Sequence, residues 1–274
     1  MFSDLELVAR MQLARTLARE AGALVMRHYG RIDHYDAKRS PVDLVSVADR
    51  ESDAFLSSRI GARFPNDVVI TEEADGDRGA GLKKAAFFEA EHSWIVDPLD
   101  GTTSFVHGYP FFAVSIGIAR RGRPSAGVVY APYFDELYVG GEGIPATMNA
   151  RPIQVSRAAS LERALLASGF AYDRQGRLDR LLAPLRRALR VVHDIRRAGA
   201  ASLDMCHVAS GRVEGYFEEG LAPWDVAAGE AIVAAAGGRV TSYDGSPHDL
   251  YGRSTLATNG LVHQKIVELL VENE

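Results

Sequence analysis

The stretch Trp94-Ile95-Val96-Asp97-Pro98-Leu99-Asp100-Gly101-Thr102-Thr103 restricts what this chain can fold into more than any other segment. Three consecutive large apolar residues call for burial on both faces and predict a short interior strand. That strand runs straight into two carboxylates, with Asp97 expected at its end. Pro98 fixes the backbone between them and, lacking an N–H, is expected to end the hydrogen-bonded ladder there. Gly101 lets the backbone pass close to a ligand. Thr102 and Thr103 open a helix whose free N–H groups favour an anion. One turn thus offers carboxylates for cations and amides for an anion, the combination that phosphate hydrolysis needs. Taken alone, the same residues also suit a turn with N-capping aspartates.

Other acids stand at comparable places. Val68-Val69-Ile70 predicts a buried strand followed at once by Thr71-Glu72-Glu73. Asp225 follows Pro223-Trp224 at the start of a helix expected to run to Gly237, where an Asp also complements the helix dipole. In Ser40-Pro41-Val42-Asp43-Leu44-Val45-Ser46-Val47-Ala48-Asp49, Asp43 reads as a strand-end residue and Asp49 as a helix cap, with the helix running from about Ala48 to Arg63. Leu7, Met11, Ala14, Ala18, Ala21 and Val25 alternate steps of four and three and predict an amphipathic first helix; Ser3 and Glu6 have capping-box spacing. Ala74 to His92, rich in Gly, Asp and Lys, reads as an exposed loop or hairpin. Strands are expected over Ala113 to Ala119, Ala126 to Tyr130 and Glu136 to Val139. Further strands at Leu165 to Ser168, Val213 to Glu218, Arg239 to Thr241 and Leu256 to Thr258 lie between longer helices. This alternation predicts sheets covered by helices. Residues 1–274 read as a single catalytic domain of two merged halves, roughly 1–150 and 151–274, with the composition shifting near Asn149 to Ser160.

Bulk properties exclude several classes. The 274 residues are 47% hydrophobic and 24% charged, enough apolar material for a full core without staples. The net charge of −5 argues against a dedicated nucleic-acid binder and leaves a phosphorylated substrate open, since a bound metal supplies positive charge. No run approaches the ~20 apolar residues of a membrane span. Arg10, Arg15, Arg19 and Glu20 break up the N-terminal segment, so no signal peptide is expected. Cys206 is the only cysteine; it predicts an inert core thiol and a reducing, cytoplasmic location. The eight histidines are scattered without zinc spacing. Hard carboxylate ligands suit Mg2+, or Mn2+, better than Zn2+. Gly141-Glu142-Gly143 lacks the other glycines of a dinucleotide fingerprint, and Ser168-Gly169 lacks the context of a hydrolase nucleophile.

In order along the chain, the Ser40–Val45 segment with Asp49, Glu72-Glu73, Trp94 to Thr103, Arg196-Arg197 with Gly199, Glu218, and Trp224-Asp225-Val226-Ala227-Ala228-Gly229 make the chain resemble the inositol monophosphatase family. That family is part of the fold group that includes fructose-1,6-bisphosphatase, and the resemblance covers nearly the whole length. It implies an α+β fold, a layered αβαβα sandwich. It implies two or three Mg2+ ions: Glu72, Asp97 and the Leu99 carbonyl for the first, Asp97, Asp100 and Asp225 for the second, and Glu72 through water for a weaker third. Glu72, Thr102 and Asp49 form the implied catalytic set, with Thr102, bonded to Asp49, orienting the attacking water. The Gly101 and Thr102 amides would hold phosphate oxygens. Asp100, Asp225, Gly199, Ala200, Ala201 and Glu218 would bind the rest of a small phosphorylated polyol or sugar. Lithium sensitivity and a homodimer are implied as well.

The leading substrate is inositol-1-phosphate. Fructose-1,6-bisphosphate, histidinol phosphate and an adenosine 3′-phosphate remain alternatives. Three positions depart from the family pattern: Ser104 stands for a usual Asn, Ala200 for a usual Ser or Thr, and Ser202 for a usual Ala. Those at 200 and 202 flank the implied alcohol pocket. Some bacterial relatives also act with the transcription machinery. Arg186, Arg187, Arg190, Arg196 and Arg197 are candidates for a basic patch that would bind RNA or an acidic partner.

Overall fold

A computed structural model describes residues 5–32, 35–38, 44–75, 80–172, 174 and 176–271. The expected capping residue Ser3 and the segment 40–43, with Asp43, lie outside the described residues. The first helix, α1 (Leu5–His28), buries the predicted stripe of Leu7, Met11, Ala14, Ala18, Ala21 and Val25. A short antiparallel pair, β1 (Asp36–Ala37) and β2 (Leu44–Val45), leads into α2 (Val47–Arg63). Ser46 rather than Asp49 is the cap of α2. Its hydroxyl accepts from the Ala48 N–H, and the Asp49 carboxylate returns to the Ser46 N–H at 2.8 Å, a reciprocal capping box.

Next come β3 (Val68–Thr71), the single turn α3 (Glu72–Asp75), α4 (Ala80–Glu89), β4 (Ser93–Asp100), α5 (Thr102–Val106), β5 (Ala113–Arg120), β6 (Arg123–Ala131), β7 (Glu136–Gly141), β8 (Ile144–Met148) and β9 (Arg151–Pro152). The strands make one seven-stranded sheet in the order β3-β4-β5-β6-β7-β8-β9, with β3 parallel to β4 and the later pairs antiparallel. Two segments of this half differ from expectation. The segment from Ala74 to His92 contains α4, anchored by the buried Phe87, whose ring meets Tyr251 at 5.8 Å; tertiary burial of one aromatic outweighs the local glycines. Asp97 lies inside β4, which continues through Pro98 to Asp100. The register with β5 shifts between Asp97 and Asp100, and such an irregularity is where a strand tolerates proline.

The second half adds β10 (Leu165–Ser168), α6 (Leu178–Ala188), β11 (Asp194–Arg196), α7 (Ala201–Ala209), β12 (Gly215–Glu219), α8 (Pro223–Ala235), β13 (Arg239–Thr241), β14 (Ser254–Thr258) and α9 (His263–Val271). Its five-stranded sheet runs β11-β10-β12-β14-β13. Helices α1 and α2 cover one face of the larger sheet, α7 and α8 lie between the sheets, and α6 and α9 cover the outer face of the smaller one. The central helix α8 is apolar nearly all round, as a helix packed on both sides must be. It sits so close to the larger sheet that a Cβ on Gly127 would stand 2.2 Å from the Ala228 carbonyl oxygen. With helices on both faces, the strands of the larger sheet read as continuous apolar runs.

Candidate active site

The acids converge because β3, β4 and α8 all end or kink toward one cavity of about 450 Å³ between the sheets. Glu72, Asp97, Leu99, Asp100, Gly101, Thr102, Gly199, Ala201, Glu218 and Asp225 all line it. Of the residues singled out from sequence, Asp49 and Ala200 stand behind the wall. Asp49 is completely buried and accepts a hydrogen bond from the Thr102 hydroxyl at 2.8 Å. Ala200 is also completely buried, packed toward Gly101. Gly101 adopts φ 87°, open to a residue without Cβ, and caps α5.

One oxygen of each carboxylate is tied to a protein donor. Leu99 N–H donates to Asp97 Oδ1 at 2.9 Å, Ala222 N–H to Asp225 Oδ2 at 2.6 Å, and Lys38 Nζ to Glu72 Oε1 at 2.8 Å. Asp100 Oδ2 takes both the N–H and the hydroxyl of Ser202. These bonds set the plane of each group while it faces the cavity.

The electrostatics are those of uncompensated like charges. Burial, then the neighbouring charges of Glu72, Asp100 and Asp225, push Asp97 well above the usual carboxylate range. Burial, then Asp100 and Glu72, does the same to Asp225. Burial lifts Asp100 to about 6 against the pull of Ser202. Glu72 is raised by burial although Lys38 opposes it, and burial lifts Glu218 to about 7. Such a cluster is stable only if protonated or neutralised by a cation. Its donors are all hard oxygens, which fit Mg2+. Among the described residues, no three His, Cys, Asp or Glu side chains are already closed around a common point as a finished ligand set.

Sequence reasoning missed Lys38. It bridges Glu72 and Glu73 at 2.8 and 2.6 Å. Burial lowers its pKa, but the two carboxylates outweigh that and hold it above its ordinary value. Lys38 and Glu72 are far apart in sequence, and no local pattern links them. Also unassigned were Phe170 and Tyr172, which line the same cavity. Arg197 lines it too and lies over the Phe170 ring at 5.9 Å. Two of the five arginines considered as a basic patch stand in different surroundings. Arg197 lines this cavity, whereas Arg187 donates to the Leu269 and Leu270 carbonyls in the last turn of α9.

A family model described as the inositol monophosphatase family matches residues 7–274. The chain belongs to the inositol monophosphatase family. It is 40% identical to an inositol-1-monophosphatase of Synechocystis, over 98% of this chain and 91% of that protein. It is 36% identical to the Nus factor SuhB of Pasteurella multocida, over 92% of this chain and 90% of that one. The inositol monophosphatase structure from Anabaena superposes with a TM-score of 0.85 at 38% identity, over 97% of this chain and 96% of that chain. The α+β layered fold is that of the family. This family member is a metal-dependent phosphoric monoester hydrolase. No helix among the described residues is long and apolar enough to cross a membrane.

Proposed function

We propose that the chain hydrolyses a small phosphorylated polyol, inositol-1-phosphate first among candidates, by direct attack of water on phosphorus. The observation that carries this reading is the convergence of Glu72, Asp97, Asp100 and Asp225 beside the Gly101–Thr102 turn, in a cavity that Glu218 also lines. Glu72, Asp97 and the Leu99 carbonyl would hold one Mg2+; Asp97, Asp100 and Asp225 would hold a second. A weaker third ion at Glu72 would compete with Lys38 for the same oxygen. When bound, the ions neutralise the phosphate, lower the pKa of water and stabilise the leaving group's charge.

The chain's own residues do the positioning. Thr102 directs its hydroxyl proton toward Asp49 Oδ1 at 2.8 Å and the Leu99 carbonyl at 3.1 Å, which leaves its lone pairs to accept a hydrogen bond from the attacking water and orient it. Asp49 is held in turn by the Ser46 N–H and hydroxyl. Glu72 lies within hydrogen-bond reach of Asp97 and serves the same water. The Gly101 and Thr102 amides receive phosphate oxygens, and Glu218 with the Gly199–Ala201 backbone receives the alcohol. No side-chain nucleophile is required: Cys206 is wholly buried on α7, and burial pushes its thiol far up. Residues 1–274 act as one catalytic domain. Inhibition by Li+, a homodimer and a cytoplasmic location belong to the same proposal.

The test is a phosphate-release panel with Mg2+ over inositol-1-phosphate, fructose-1,6-bisphosphate, histidinol phosphate and an adenosine 3′-phosphate. Highest kcat/KM on inositol-1-phosphate is expected; a different best ester overturns the substrate while leaving the chemistry. A second reading, a transcription partner, is favoured by the Nus factor names of relatives such as that of Pasteurella multocida. Salt-dependent RNA binding that survives Asp97→Asn would support it, and no binding at low salt would remove it.

A further inference from the structure

Ser202 is the second residue of α7 and is wholly buried. Both of its donors reach a single atom. Its backbone N–H lies 2.8 Å and its hydroxyl oxygen 2.5 Å from Asp100 Oδ2. Helix α7 has Ala200 at its N-cap and therefore no side-chain cap of its own. Asp100, reaching across from β4, fills that place. A carboxylate oxygen has two lone-pair sites, and the two Ser202 donors fill both. Oδ2 is thereby committed to α7 while the same carboxylate lines the cavity.

The hydroxyl adds something the amide cannot. The Ala201 N–H also donates to the Asp100 carboxylate, so without the Ser202 hydroxyl only backbone amides of one helix turn would restrain the broad terminal torsion of the Asp side chain. The hydroxyl, approaching from a side chain rather than along the backbone, restricts that torsion further, the task performed elsewhere by groups that orient a ligand from behind. Ala200, two residues earlier, has no hydroxyl to do this.

We propose that Ser202 is a positioning residue for Asp100, holding one carboxylate oxygen on α7 so that the other is presented to a divalent cation. The inference rests on the reading of Asp100 as a metal ligand given above. Calorimetric titration with Mg2+, without substrate, tests it on the wild type, Ser202→Ala and Ser202→Thr, with thermal melting in the absence of Mg2+ as the fold control. Removing the hydroxyl is expected to weaken Mg2+ binding about tenfold, while Ser202→Thr, which keeps it, stays within about threefold of the wild type. Ser202→Ala binding Mg2+ as tightly as the wild type overturns this proposal alone, as does an equal loss in both variants, the signature of packing. A wild type that binds no Mg2+ overturns the metal reading as well.

Discussion

Asp97 is a residue whose loss has two opposite consequences. It sits buried among Glu72, Asp100 and Asp225, so replacing it by Asn relieves repulsion that only a cation would otherwise offset. Asp97→Asn is therefore expected to leave the metal-free protein at least as stable as the wild type while abolishing the rise in Tm on adding Mg2+. A metal-free variant melting well below the wild type would show that Asp97 is held for packing. Thr102 makes a finer case. Thr102→Val keeps the shape and removes the hydroxyl that joins Asp49 to the cavity, so kcat should fall by about 10²–10³ with KM little changed; Thr102→Ser should retain most activity. A loss seen mainly in KM would point to phosphate binding instead. At this scale the acids were legible because each follows an apolar run or opens a helix. Lys38 and Ser202 were not: each acts through a contact whose partner no sequence window identifies.

At the scale of elements, the long periodic helices and apolar strands were readable because burial imposes their period. The errors fell where tertiary contacts overrode local composition. Helix α4 forms among glycines and charges because Phe87 is buried, and β4 runs through Pro98 because Pro98 falls where the register with β5 shifts. The contact of α8 with the larger sheet gives a direct test. Gly127→Ala would place a methyl 2.2 Å from the Ala228 carbonyl, and the displacement should cost about 1–3 kcal/mol or more, read as a Tm lowered by several degrees. An unchanged Tm would mean that α8 is free to shift. The join of β13, β14 and α9 is expected to weaken as the pH falls. His263 is buried between the Thr241 and Thr258 hydroxyls at 3.1 and 2.8 Å, and burial, helped by Arg239, pushes its pKa down from 6.5 to about 4. The unfolded chain therefore takes the proton first. The stability is present above the unfolded pKa of 6.5 and is lost as pH falls toward 4, by about 2 kcal/mol between pH 7 and 5. Urea melts should show a smaller loss over that interval in His263→Gln than in the wild type. Equal losses would contradict the assignment.

For the whole molecule, the layering does the functional work. Two sheets sandwich α7 and α8, and that arrangement brings the end of β4, the start of α8 and the first turn of α7 around one cavity, so residues from both halves of the chain meet there. The layered order was expected from the family resemblance; composition and periodicity predicted only sheets covered by helices. The central claim is that Glu72, Asp97, Asp100 and Asp225 form a Mg2+ centre for phosphate-ester hydrolysis. The most direct test is phosphate release from inositol-1-phosphate by the wild type and Asp97→Asn, with Mg2+, after chelation, and after Mg2+ is restored. The account predicts turnover that vanishes on chelation and returns with Mg2+, and a loss of at least about 100-fold in Asp97→Asn. Near-normal turnover by Asp97→Asn, or turnover indifferent to chelation, would contradict it.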